Sequence, residues 1–143
     1  TSTRQVLAKG SLNLVEHYPL GVGTGNWQKV SNQIAPNSLM PLEYPHNLFL
    51  EVACENGLQT ALLLLILFFY VLHLSYNKMI KYRRDKTSLY PLLFFLFLFL
   101  FFNSLVSGML NDSRLLFIVI SLIIAHRPLI AFQDNKNSSN HAI

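Results

Sequence analysis

Residues 58–76, LQTALLLLILFFYVLHLSY, carry no acidic or basic side chain apart from His73. Wound as a helix at about 1.5 Å per residue, the stretch measures roughly 28 Å, close to the hydrocarbon thickness of a bilayer. Two more apolar runs follow at 89–110 and 115–131, the last interrupted by His126, Arg127 and Pro128, which sit at the inner headgroups if the run is to span. With 52% of the 143 residues hydrophobic and strongly blocked along the chain, a soluble core is the poorer explanation. The expected fold is an all-α membrane protein, with an external loop carrying short helices followed by three transmembrane helices.

Charge orients that arrangement. Lys78, Lys81, Arg83, Arg84 and Lys86 fall in the connection 77–88 with only Asp85 against them. Cations flanking a span mark its cytoplasmic side, and because topology accounts for this basic run, nucleic acid is not expected as a partner. The organisation is then 1–57 outside, 58–131 crossing the membrane three times, and 132–143 a polar, disordered cytoplasmic tail. The chain opens T-S-T-R rather than with Met, and reads as the C-terminal portion of a longer protein whose N-terminal membrane helices are its partners. Cys54 is the single cysteine, so it makes no internal disulfide and reads as a small packing residue.

Within the external part, 1–18 reads as a helix capped by Ser2 or Thr3, with Ala8, Leu12 and Val15 as its apolar face and Pro19 as its stop. Gly21, Gly23 and Gly25 form a glycine run unlike a dinucleotide fingerprint, because no buried strand precedes it and the third glycine comes too soon. They suit a plain turn or a close approach to a ligand. Residues 28–45, rich in Asn, Ser and Pro, read as an irregular loop.

The stretch 45–57, PHNLFLEVACENG, marks the transition from polar to apolar chain. As a helix continuous with 58–76, it sets His46, Leu50, Ala53 and Gly57 on one face and Asn47, Glu51 and Glu55 in a separate polar stripe. His46 suits a general base near neutral pH, or simply begins the helix beside a capping Asn47. Glu51 and Glu55 suit a solvated face, a pairing with a segment outside this sequence, or a hydrolase pair. Arg4 suits an anionic group, and Arg114 and Asp112, at the outer end of the spans, pair with each other or serve a ligand. No metal-ligand pattern or phosphate-binding loop is present in the sequence, and neither metal nor cofactor is expected.

Taken in order, T-x-R, then EHYPLGVGTGNW, then PHNLFLEVACENGL ahead of a span, then NSLVSGMLNDSR, resemble the O-antigen ligase and O-antigen polymerase family of bacterial membrane proteins. The resemblance covers roughly residues 3–125. It implies a multi-pass glycosyltransferase in the bacterial inner membrane, working at the external face without metal or nucleotide sugar. Such an enzyme moves a glycan from a polyprenyl-pyrophosphate carrier to a glycan or lipid acceptor. By the same resemblance, His46 activates or orients the acceptor hydroxyl, Arg4 holds the pyrophosphate, and Gly21, Gly23 and Gly25 shape the site. Asn47, Glu51 and Glu55 belong to the shared motif, and Arg114 is the further substrate-binding candidate. The rival expectation is a non-catalytic multi-pass protein, a transporter or an assembly subunit. Ligase and polymerase are not separable from the sequence.

Overall fold

The computed structural model describes residues 3–34, 45–85, 88–106, 110 and 112–125. The protein is all-α over these residues, with α1 Thr3–His17, α2 Trp27–Ile34, α3 Leu48–Asn56, α4 Leu58–Lys81, α5 Tyr90–Val106 and α6 Arg114–Ala125. The expected tail, the end of the third apolar run and residues 107–109 and 111 lie outside the described residues.

Three apolar helices form the larger body. α4 and α5 are antiparallel: Tyr82 stacks on Tyr90 at one end, Tyr76 meets Phe94, and Phe68 meets Phe97 and Phe101. α6 runs back alongside α4, with Phe117 stacked on Phe68 and the Lys78 ammonium donating to the Ile123 carbonyl at 2.6 Å. Buried Phe68, Val71, Phe97, Leu116, Ile120 and Ile123 fill the seam.

α4 is long and apolar enough to cross a membrane; α5 and α6 are apolar but shorter over the described residues. α4 also runs five residues beyond the expected span, taking 77–81 out of the anticipated connection. Lys78 and Lys81 occupy its last turn, where cations favour the negative end of the helix dipole.

The continuous helix expected from His46 into the first span is not formed. Gly57, at φ 93°, reverses the chain, and α3 folds back along α4. Phe49 at its start therefore packs edge-on against Phe68 and Phe101, with ring centroids 5.5 and 6.4 Å away. Phe68 lies about 15 Å along α4 from Leu58. A straight helix would have held His46 roughly 18 Å beyond Leu58; the reversal brings it down to the level where α5 ends.

The smaller body is external to this bundle. α1 ends at His17, before Pro19, as expected; its fully buried residues are Leu7, Ser11 and Leu14, the expected Ala8 and Val15 are half-buried with Val15 packed against both cores, and the expected Leu12 is instead 59% exposed. The buried stripe includes a serine because Trp27 packs on it: the indole N–H donates to Ser11 Oγ at 3.2 Å, and Ser11 Oγ–H donates to Leu7 O at 2.8 Å. Trp27 also opens α2, so residues 28–34 are helical rather than irregular. The remaining loop residues, 35–44, lie outside the described residues. Leu7, Leu14, Trp27 and Cys54 close this second core.

Candidate functional site

The glycine run builds the elbow between α3 and α4. Val22 and Gly23 donate their backbone N–H groups to Cys54 O and Glu55 O, both at 2.9 Å, satisfying carbonyls at the C-terminal end of α3. Leu58 at the start of α4 donates to Pro19 O at 2.9 Å. Backbone thus lies directly on backbone. A Cβ at Gly21 would stand 2.5 Å from Glu55 O, and one at Gly57 would stand 2.7 Å from Leu20 O. Gly23 and Gly25 also hold left-handed φ, with no backbone atom within contact of a Cβ there.

The other end of α3 carries His46. Its φ of 51° is the only positive value at a non-glycine residue among the described residues, a conformation that costs on the order of 1–2 kcal/mol for a residue with a Cβ. His46 does not begin the helix; Asn47 does. The Asn47 carbonyl Oδ1 accepts from Phe49 N and Leu50 N at 3.0 and 3.1 Å, and its Nδ2 donates to Leu105 O at 2.9 Å.

His46 is partly exposed and opens on a cleft of about 260 Å³ between α1, α3 and the end of α5, lined also by Ala8, Pro45, Asn47, Leu50, Leu105 and Val106. Cys54 Sγ–H donates to Ser11 O at 3.3 Å, and Ala8 reaches the cleft beside Leu50 and His46. The two contacts advance in the same sense along α1 and α3, so both helices direct their N-terminal ends, the positive ends of their dipoles, toward His46. Arg4 lies one turn before Ala8 in α1; its side chain is outside the described residues.

Glu51 and Glu55 are buried, not solvated, at 8% and 4% exposure. Glu51 Oε2 accepts from Leu110 N at 2.8 Å. Burial pushes the Glu51 carboxyl above its ordinary value, the Leu110 N–H opposes that, and Glu55 and Asp112 add to it. Glu55 Oε1 is buried without a hydrogen-bond partner among the described residues. Neither carboxyl lines the cleft. Arg114 opens α6, exposed, and does not line it either. Cys54 is inert by burial, which raises its thiol to about 11. No group of three or more His, Cys, Asp or Glu stands together as a metal site among the described residues.

Of the expected site residues, the structure brings His46 and Asn47 to the cleft, with α1 beside them. Gly21, Gly23 and Gly25 sit at the opposite end of α3 and support it from there. Sequence reasoning missed Leu105 and Leu110, whose contributions are main-chain groups and leave no side-chain signature. No protein-family profile, characterised protein or solved structure matches the chain.

Proposed function

We propose that this chain is the outer-face catalytic portion of a membrane glycosyltransferase of the O-antigen ligase and polymerase type, in the bacterial inner membrane. The observation that carries the reading is His46, an imidazole side chain held by strained backbone at the mouth of a cleft where the apolar helix α5 ends. Strain of this kind persists where the surroundings enforce it, which is common at functional sites. The shared motifs around it supply the reaction.

α4, α5 and α6 are read as three spans. Supporting this, only 22% of the apolar window of α4 is buried, unlike a soluble core helix. Leu62, Ile66, Phe69, Phe95, Phe99, Ile118 and Leu122 point outward from the three helices, as lipid contact requires. The basic turn after α4 stands beside the start of α5 and His46 beside its end, which under the positive-inside rule supports an outer-face His46.

In the proposed reaction, His46 takes the proton of an acceptor hydroxyl as its oxygen attacks the anomeric carbon of the donor glycan. The bond from that carbon to the pyrophosphate oxygen breaks, and its electron pair leaves with the polyprenyl carrier. Arg4 and the N-terminal ends of α1 and α3 offset the pyrophosphate charge. The acceptor is a lipid for a ligase and another glycan repeat for a polymerase.

The test is complementation by the full-length gene in bacteria lacking the ligase and, separately, in bacteria lacking the polymerase. Restored attachment of long chains to the lipid acceptor identifies a ligase, and a restored ladder of repeat lengths identifies a polymerase. Rescue of neither by a stably expressed protein counts against the reading and favours a non-catalytic membrane protein.

A further inference from the structure

The polar stripe of α3 ends in the protein's own main chain. Asn47 spends both ends of its amide: Oδ1 caps α3 through Phe49 N and Leu50 N, while Nδ2 reaches Leu105 O in the last turn of α5. One helical turn on, Glu51 Oε2 takes the N–H of Leu110, just before α6. These two side chains therefore grip the connection between α5 and α6 on both sides, at 105 and at 110. Leu105 O is one of the carbonyls a helix end leaves unpaired, and Leu110 N lies outside any helix, so each bond meets a need that the local backbone leaves open. His46 is the residue immediately before this grip, and Leu105 shares its cleft.

We infer that Asn47 and Glu51 are positioning residues, a clasp that fixes Leu105 and Leu110 against α3 and so holds the His46 ring in its cleft. This assigns them a role in the protein rather than on the substrate, and it rests on the catalytic reading of His46 for its functional meaning. It also gives the buried Glu51 side chain a hydrogen-bond partner within the fold.

Two readouts on the full-length protein in nanodiscs, neither needing substrate, test it. The first is amide hydrogen exchange across 104–113. The second is the pH profile of His46 modification by diethyl pyrocarbonate, followed by mass spectrometry. Asn47→Ser keeps an N-cap acceptor but is too short to reach Leu105. Glu51→Ala removes the second bond, while Glu51→Gln keeps an acceptor in the same place. Losing either bond speeds exchange across 104–113 by about tenfold, and shifts the His46 profile. Exchange in 48–56 stays slow in Asn47→Ser, and Glu51→Gln returns both readouts toward wild type.

Unchanged exchange across 104–113 in both Asn47→Ser and Glu51→Ala overturns the clasp. Faster exchange with an unaltered His46 profile overturns the positioning role. If both readouts move as expected but the wild-type gene complements no glycan-transfer defect, the clasp stands and the transferase reading fails.

Discussion

At the scale of single residues, His46 opens on the cleft while Glu51, Cys54 and Glu55 of the same segment are withdrawn by burial. Glu51 shows the distinction. Its folded carboxyl titrates above the ordinary 4.5 because burial penalises its charge. The ionised form therefore costs stability at neutral pH, and the cost fades as pH falls through the raised value and is gone below the ordinary one. Glu51→Gln, still accepting from Leu110, is expected to melt higher than wild type at pH 7, with the advantage lost on acidification; an advantage that grows toward low pH contradicts this. Cys54, with its thiol raised to about 11, is expected to resist maleimide at pH 8 in the folded protein and to react on unfolding. Labelling of the native state at the rate of a free thiol contradicts its burial. Sequence spacing displayed Asn47, Glu51 and Glu55 as one stripe, and that stripe exists. What spacing could not display is that Asn47 and Glu51 find main-chain partners some sixty positions away in the chain, and that Glu51 and Glu55 are buried rather than solvated.

At the scale of elements, hydropathy located the three apolar helices and Pro19 marked the end of α1, because both signals are local. The reversal at Gly57 was hidden because helical periodicity continues on both sides of it, and a lone glycine is tolerated within a helix. The two arrangements respond oppositely to one substitution. In a continuous helix, Gly57→Ala would stabilise by about 1 kcal/mol. At the elbow, φ 93° and Leu20 O at 2.7 Å from the added Cβ make it destabilising, by more than the roughly 1–2 kcal/mol of left-handed strain alone. Thermal denaturation in detergent distinguishes the signs. On α1, Leu12 was placed inward and lies outward for a similar reason: an apolar pattern alone does not show that Ser11, bonded to Trp27, lies inward. α2 escaped notice because its anchor is also tertiary, the seat of Trp27 between α1 and α3.

At the scale of the whole molecule, the proposed arrangement has two ends of opposite character. One carries the basic turn after α4, with Lys81, Arg83 and Arg84 exposed; the other carries the α3 elbow, the glycine run and His46. In a Cys54→Ala background, a cysteine placed at Thr24 is expected to react with an impermeant maleimide once the outer membrane is opened. One at Arg84 is expected to react only after the inner membrane is also opened, and the reverse pattern contradicts the topology. The claim that joins topology to chemistry concerns His46. The measurement that tests it is glycan transfer in the complemented strain by His46→Ala, with protein in the inner membrane quantified beside wild type. Loss of transfer by about a hundredfold or more, the usual scale for a general base, at an unchanged membrane level is the result expected. Transfer at the wild-type rate would contradict a catalytic His46 and leave its strained backbone a feature of the α3 cap alone.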